Sequence, residues 1–259
     1  MVARLLLFAI ATADHFLRVA AIGAAATPRA ALLNLISPLD RGFKANREQR
    51  AEVIAAIEAL AASTSQQAVP DISGDWELIY TDAPDILGLD AQAGPFTTCT
   101  RIGQQISELD RTITNVIEYG PRQWAASLIN VAKDDLLQQR VITTFARRAE
   151  EPTKIDLNIK GAAFVPRQFM GISLDAVPPL KLEGGFTPPF GSFEVLYCEG
   201  PEGPPTGDAA ALEDDQADLC SIDGLEGLGA CASIRVVRTQ QGYYSINRRM
   251  PMSESWGEV

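Results

Sequence analysis

The sequence predicts a mainly β protein with N-terminal helices, in which an antiparallel up-and-down β-barrel of about eight strands forms one domain. Three observations support this fold class: a strand with Gly-x-Trp-x-Leu-x-Tyr alternation, further strand-like runs after it, and two amphipathic helical stretches before it. The chain has 259 residues, of which 46% are hydrophobic and 21% charged, as in an ordinary globular protein.

The alternating strand runs from Ser73 to Thr81. Successive side chains of a strand point to opposite faces, so Trp76, Leu78 and Tyr80 are expected to share one face. That face is predicted to be buried.

Strand-like runs rich in β-branched and aromatic residues continue towards the C-terminus. The cleanest alternation places Ile155, Leu157 and Ile159 on one face and polar side chains on the other. The candidate strands are residues 75–81, 96–102, 111–119, 138–147, 154–160, 192–198, 232–238 and 242–247. Eight strands close a barrel that can hold one small ligand. Residues 124–137 fit either a strand or a short helix.

Two helices are predicted ahead of the barrel, within residues 27–62. In the first, Thr27 is the N-cap and Pro28 the first helical residue. In the second, Asn46 and Gln49 have the spacing of a capping box. We expect the pair to pack on the barrel or to plug one end.

Residues 1–26 are predicted to be a targeting leader, so the domain proper covers residues 27–250. Arg4 precedes an apolar run that is too short to span a bilayer and is followed by small residues. The stretch fits a secretory signal or a two-part leader that continues as a transit peptide. The alternative is an N-terminal helix that lies on the domain. The only histidine, His15, falls here and is assigned no chemistry.

Two later stretches break the strand pattern. Residues 161–191 combine prolines, glycines and phenylalanines, which predicts an irregular connection. It is either a lid over the barrel mouth, a surface for apolar contacts, or a loop that buries its own aromatic rings. Residues 199–230 contain many acidic residues and no lysine or arginine, so they are predicted to be a solvated, disordered insertion.

Charge and motif content disfavour several functional classes. With 33 acidic and 22 basic residues the net charge is −11, which disfavours nucleic acid and requires any lipid contact to be mainly apolar. The sequence has no glycine-rich phosphate loop between a strand and a helix and no Gly-x-Ser-x-Gly, so no catalytic residue is predicted. The four cysteines lack metal-ligand spacing, so neither a metal nor a cofactor is expected. Cys220 and Cys231 either pair in an oxidising compartment or remain thiols.

Motifs at both ends of the predicted domain resemble a known family. They are Asp40-Arg41-Gly42-Phe43, Arg50-Ala51-Glu52-Val53, Gly74-x-Trp76-x-Leu78-x-Tyr80-Thr81, Ile234-Arg235-Val236-Val237-Arg238 and Gly242-Tyr243-Tyr244-Ser245-Ile246. Together these motifs are similar to those of the plastid lipid-associated proteins, or plastid fibrillins. One departure is Ser233, at a position where the family typically has an acidic residue.

The resemblance implies a lipocalin-like barrel in a plastid such as the chloroplast, associated with thylakoids or with plastoglobules. Such a protein would bind or carry small apolar lipids of the prenyl type, peripherally at a membrane or lipid-droplet surface, and would not be an enzyme. One alternative is a scaffold that docks a lipid-synthesising enzyme at plastid membranes. A second alternative is a lipocalin-like enzyme that acts on a bound isoprenoid.

The lipocalin-like fold also implies specific residue roles. Gly74 and Trp76 are expected to close one end of the barrel, with Arg235 or Arg238 packed across the indole. The predicted ligand contacts lie farther from that end: Leu78, Tyr80, Phe96, Ile113, Leu157, Phe193, Tyr197 and Tyr244. For each of these, ordinary core packing is the alternative.

Overall fold

The structure is a computed structural model that describes residues 27–63, 69–129, 137–169, 172–174, 176–184, 191–200 and 232–257. Three predicted features lie outside the described residues: the leader, most of the acidic insertion, and the pair Cys220 and Cys231. Cys99 and Cys198 are free thiols.

The two predicted N-terminal helices are α1, Pro28–Ile36, and α2, Arg47–Ser63. The hydroxyl of Thr27 accepts a hydrogen bond from the amide of Ala30 at 3.3 Å, as expected of an N-cap. In the capping box of α2 the amide of Asn46 donates to the Gln49 side chain at 3.0 Å, and the amide of Gln49 donates to the Asn46 side chain at 2.9 Å. Both predicted helix starts are confirmed.

Eight long strands form the barrel, and three short strands lie outside this closed ring. They are β1 Gly74–Thr81, β2 Thr97–Ser107, β3 Thr112–Pro121, β4 Leu137–Arg147, β5 Lys154–Pro166, β6 Gln168–Phe169, β7 Ile172–Ser173, β8 Leu180–Glu183, β9 Gly191–Cys198, β10 Ile234–Thr239 and β11 Tyr244–Arg249. The short strands outside the ring are β6, β7 and β8. The strand order β4-β3-β2-β1-β11-β10-β9-β5 is closed by pairing of β4 with β5, and all pairs are antiparallel. The predicted eight-stranded barrel is confirmed.

Three short helices lie between the strands: α3 Pro84–Leu87, α4 Leu89–Gln92 and α5 Gln123–Ile129. The segment that fitted either a strand or a helix therefore begins as a helix. None of the helices in the described ranges has the length and hydropathy to span a bilayer.

The prediction that residues 161–191 are irregular was wrong in part. Strand β5 continues to Pro166, β6 pairs with β7, and β8 pairs with residues Gly161–Phe164 of β5. Gly161 permits this pairing, because a Cβ atom there would lie 2.7 Å from the carbonyl oxygen of Leu182. Proline and phenylalanine content signalled a loop and gave no sign of this close backbone contact.

The barrel has one filled end, the closed end, where β1 begins and β4 ends. A cluster there takes residues from seven of the eight barrel strands, and side chains from so many strands can meet only in the interior. This closed-end cluster consists of Ile72, Trp76, Ile106, Ile113, Phe145, Ile155, Phe193, Val195 and Val237. The opposite end, where β1 ends and β4 begins, is the mouth.

Other layers cover the outside of the barrel. Helices α1 and α2 pack on the outer face of β1, β9, β10 and β11 through an apolar cluster that includes Leu32, Ile57 and Ile246. On β3 and β4 the C-terminal segment is the cover, since Arg140 donates to the carbonyl oxygen of Trp256 at 2.6 Å. The N-terminal helices and the C-terminal segment thus shield two parts of the outer barrel wall from water.

Candidate functional site

Trp76 lies at the closed end of the barrel, with two arginines beside its indole. Its indole has no solvent exposure and donates a hydrogen bond to the carbonyl oxygen of Ile72 at 2.8 Å. The Arg235 guanidinium carbon lies 4.7 Å from the ring centroid, and that of Arg249 lies 4.5 Å from it. Cation–π contacts of this kind are worth about 1–2 kcal/mol each when shielded from water.

Gly74 makes room for one of these arginines. Its φ is 112°, and a Cβ atom there would lie 2.7 Å from Arg249 Nη1. That nitrogen donates to the carbonyl oxygen of Ser73 at 2.6 Å. A side chain at position 74 would displace the guanidinium from the indole.

A polar layer lies next to Trp76 in the barrel interior. This polar floor consists of Gln104, Asn115, Arg235 and Asn247. Gln104 Nε2 donates to Asn115 Oδ1 at 2.8 Å, and Arg235 Nη2 donates to Gln104 Oε1 and to Asn247 Oδ1. Burial lowers the pKa of Arg235 to about 10, which still leaves the guanidinium charged at neutral pH.

Towards the mouth, the wall formed by β1, β2 and β3 is filled with apolar side chains. Leu78, Cys99, Ile102 and Ile117 form one buried cluster. Ile86 of α3 and Leu89 of α4 pack against it, as do Phe43 and Tyr119. The short helices after β1 therefore fold over this side of the mouth.

The opposite wall, formed by β4 and β5, is less complete. Strand pairing places Val141 opposite inward-facing Asn115 and Gln139 opposite Ile117, so both point inward. The inward-facing residues of this open wall are all half-buried: Leu137, Gln139, Val141, Ile159, Ala162 and Phe164. Inward-facing apolar side chains of a filled barrel would be buried, so water reaches the interior along this wall.

The seam between β1 and β2 near the mouth is filled by the Asp40-Arg41-Gly42-Phe43 motif. The amide of Thr81 donates to the carbonyl oxygen of Arg41 at 3.0 Å, and the Arg41 guanidinium donates to the carbonyl oxygens of Cys99 and Thr100 at 3.2 and 2.9 Å. Gly42 has φ of 97°, and a Cβ atom there would lie 2.0 Å from the Thr81 carbonyl oxygen. Only glycine fits this contact.

The sequence matches the PAP_fibrillin family model over residues 26–197, more than half of the chain. The chain belongs to the PAP_fibrillin family. It is similar to "Probable plastid-lipid-associated protein 10, chloroplastic" of Arabidopsis thaliana, with 26% identity over 163 residues. The alignment covers 55% of this chain and 56% of that relative, so the chain spans about half the length of the curated protein it matches. No solved structure matches it significantly.

In this PAP_fibrillin member the structure places Arg235, and not Arg238, on the Trp76 indole. Arg238 lies on the outer surface and pairs with Glu194 at 2.7 Å. Arg249, the second arginine on the indole, was not predicted. It follows the last predicted strand, and its pairing with Trp76 is visible only in the structure.

The predicted ligand contacts fall into different environments. Ile113 and Phe193 belong to the closed-end cluster, Leu157 packs partly against it, and Leu78 lies in the mouth half. Phe96 lies at the mouth, 61% exposed, with its ring 5.5 Å from that of Trp124. The structure thus brings together only part of the predicted set.

Three of the predicted contacts, Tyr80, Tyr197 and Tyr244, lie outside the barrel beneath the N-terminal helices. The prediction that Tyr80 shares a face with Trp76 and Leu78 was wrong. A β-bulge between Leu78 and Tyr80 inserts one residue, which turns the Tyr80 side chain to the outer face. Sequence reasoning did not select the residues of the open wall as ligand contacts, and two of them, Ala162 and Phe164, lie beyond Lys160, where β5 was predicted to end.

A surface concavity of about 430 Å³ lies beside the β4–β5 turn and the ends of β9 and β10. Its charged lining is paired: Arg238 with Glu194 at 2.7 Å, and Arg148 with Asp156 at 2.7 Å. This lining does not suit an apolar ligand. Among the described residues, no group of histidine, cysteine or carboxylate side chains could hold a metal ion.

Proposed function

We propose that this PAP_fibrillin member binds small apolar lipids of the prenyl type inside its barrel, at plastid lipid surfaces, and without enzymatic activity. The observation that carries the proposal is the open wall. Its inward-facing side chains are largely apolar and remain half-buried, whereas those of the closed-end cluster are buried. A lipid lying on this wall would remove apolar surface from water, which contributes about 25 cal/mol per Å².

Family membership supports the location. The curated relative is described as a plastid-lipid-associated, chloroplastic protein. We propose the same compartment for this chain, at thylakoids or plastoglobules, with the leader predicted over residues 1–26 directing it there.

The rim of the mouth supports peripheral contact with a membrane or lipid-droplet surface. Phe96 is 61% exposed, Trp124 49% and Leu180 63%, and all four residues of β8 are exposed. Apolar side chains grouped at one end of a protein mark an interaction surface. Because the net charge of −11 disfavours electrostatic attraction to anionic lipids, apolar insertion at the mouth is the favoured contact. A lipid could then enter the barrel without crossing water.

A matched pair of variants on β4 tests the interior site. Val141 faces inward and Ile142 faces outward, and both are half-buried. We expect Val141→Gln to weaken the binding of a prenylquinone about tenfold, measured by quenching of tryptophan fluorescence, because the amide would be buried against the chain of the lipid. We expect Ile142→Gln to bind as the parent does. Equal weakening in both variants, or no binding by the parent protein, would contradict the proposal.

The exposed rim favours the scaffold alternative as a second candidate, since apolar surfaces of this kind also dock proteins. Lipid extraction of the purified protein followed by mass spectrometry separates the two. A stoichiometric apolar lipid supports binding or carriage, whereas a cross-linked lipid-synthesising enzyme without bound lipid supports the scaffold. Conversion of an added isoprenoid to a product would support the enzyme alternative.

A further inference from the structure

The polar floor contains a buried guanidinium whose hydrogen-bonding capacity is only partly used. Arg235 has no solvent exposure, and its Nε and Nη1 atoms have no hydrogen-bond partner. Beside the same indole, the Nε and Nη2 atoms of Arg249 are likewise buried and without a hydrogen-bond partner. Within the described ranges, neither arginine forms an ion pair with a carboxylate.

Such an arrangement is costly for the protein alone. A buried charge without a counter-ion costs several kcal/mol, and the two cation–π contacts with Trp76 recover only part of that cost. The charged or titratable groups that act on Arg235 are the Cys198 thiol and Arg249 itself, and the second guanidinium adds repulsion. The interior therefore has an excess of positive charge at its floor.

Trp76 has no solvent exposure, whereas Gln104 and Asn115 are half-buried, so water reaches the polar floor but not the indole. Arg235 is connected to this accessible part of the floor by its hydrogen bonds. Its side chain reaches Gln104, which is half-buried and hydrogen-bonded to half-buried Asn115 opposite the open wall. A group that enters along the open wall meets this layer before it meets the indole.

We infer that the polar floor binds the carboxylate of a long-chain amphiphile, with Arg235 as the recognition group and the open wall as the seat of the hydrocarbon chain. This inference rests on the proposed function, because it needs a lipid-binding interior, and it assigns to that interior a preference for lipids with an anionic head. The Nε and Nη1 atoms of Arg235 are the donors that remain for a carboxylate, and hydrogen bonds between ionised groups are roughly twice as strong as neutral ones. A hydrocarbon without a head group would leave Arg235 uncompensated.

The open wall also bears on the length of the ligand. From Val141 to Leu137 on β4 the wall extends over four residue steps of about 3.3 Å, or about 13 Å. A longer chain would leave the mouth among the exposed side chains of Leu180 and Leu182. The head would then be held inside and the tail end directed to the lipid surface.

Two ligands of equal chain length test the inference. Oleate and oleyl alcohol are titrated separately against the delipidated full chain, by displacement of a fluorescent lipid. We expect the parent protein to bind oleate at least tenfold more tightly than the alcohol. In Arg235→Gln the preference should be lost through weaker oleate binding. In Arg238→Gln, which removes an outward-facing arginine of the same strand, it should be retained.

The outcomes distinguish this inference from the proposed function. If the parent binds neither ligand but still binds the prenylquinone, only the inference is wrong; if it binds none of the three, the proposed function is wrong as well. If the parent binds both with equal affinity, or if Arg235→Gln weakens both equally, only the anionic head is wrong.

Because Arg235 is buried, its variant could fail to fold, and a measurement on the parent protein covers that case. Oleate labelled with ¹³C at its carboxyl carbon is titrated with acid while bound to the protein and, separately, in phosphatidylcholine vesicles. We expect the bound carboxyl to stay ionised to a lower pH in the protein than in the vesicles, because of the adjacent Arg235. An equal or higher titration midpoint in the protein would overturn the inference.

Discussion

Near Trp76 the barrel interior is filled, whereas along the open wall it is not, and strand β5 takes part in both regions. Ile155 is fully buried in the closed-end cluster. Ile159, four residues further on, also faces inward but is only half-buried. Two isoleucines of one strand thus differ: Ile155 belongs to the core, and Ile159 lines the accessible part of the interior. The comparison shows how a small barrel can combine a stable end with an end that is free to bind.

The difference comes from how β5 meets its neighbours. Strand β9 pairs with β5 only over Lys154–Leu157, and from Gly161 onwards β8 takes that place. A β-bulge between Ile142 and Thr143 also shifts the β4–β5 register at this point. Bulges bend a strand locally, and on the mouth side of this one the inward side chains of β4 and β5 are half-buried.

The largest expected effect comes from emptying the closed end. Trp76→Ala removes a fully buried indole and the seat of two guanidinium groups. We expect the free energy of unfolding to fall by about 4 kcal/mol, measured by urea denaturation. Trp124→Ala at the half-exposed rim should cost about 1 kcal/mol. Similar losses in the two variants would contradict the assignment of Trp76 as the closing residue.

The next effect tests the seam beside the mouth. Gly42→Ala combines a positive φ with a Cβ atom placed 2.0 Å from the Thr81 carbonyl oxygen, so we expect a loss of about 3 kcal/mol. Gly94 is a matched control, because its φ is 88° and nothing lies within 4 Å of its Cβ position. Gly94→Ala should cost only about 1 kcal/mol. Thermal or urea unfolding of the two variants measures the difference, and equal costs would show that the seam is not crowded.

The two isoleucines of β5 test the comparison between the halves directly. Ile155→Ala leaves a cavity in a packed cluster and should cost about 3 kcal/mol, whereas Ile159→Ala should cost about 1 kcal/mol. The difference of about 2 kcal/mol should appear as a shift of the urea midpoint with an unchanged slope. If Ile159→Ala is as destabilising as Ile155→Ala, the open wall is part of the core.

The smallest effect concerns the outer layer. Tyr80 is buried beneath the helices and its hydroxyl has no partner, so Tyr80→Phe should change the free energy of unfolding by less than about 1 kcal/mol at pH 7. Burial, with a smaller contribution from Asp82, raises the pKa of Tyr80 from 10.0 to about 12.

The sign of the pH dependence follows from this pKa. Folding favours the neutral phenol, so its contribution is complete below pH 10 and is lost as the pH rises from 10 towards 12. Tyr80→Phe should therefore lose less stability than the parent between pH 9 and 11.5, the range over which urea midpoints are compared. Identical losses would show that Tyr80 does not titrate with folding.

Much of the architecture could be predicted from sequence because its signals are local. The N-cap of α1, the capping box of α2 and the eight barrel strands follow from side-chain type and spacing within a few residues. The motif around Gly42 was visible as a family resemblance. The sequence did not show why glycine is needed there, because the backbone contact is with Thr81, some forty residues away.

The site was harder to predict, because inside and outside are decided by register. One bulge in β1 moves Tyr80 to the outer face, and the choice between Arg238 and Arg235 depends on which of two alternating positions points inward. Arg249 was missed because its partner Trp76 lies at the other end of the sequence. Alternation alone carries no information about bulges or about distant pairing.

By itself, the sequence determined the helices, the strands, the excess of acidic residues and the absence of the usual catalytic motifs, since these depend on residue type and short spacing. Only the tertiary structure decided which side chains face inward, that two arginines share one indole, and that β5 is core at one end and open wall at the other. The physical reason is that a barrel interior is shared by strands distant in sequence, so its packing and charge balance depend on closure and register.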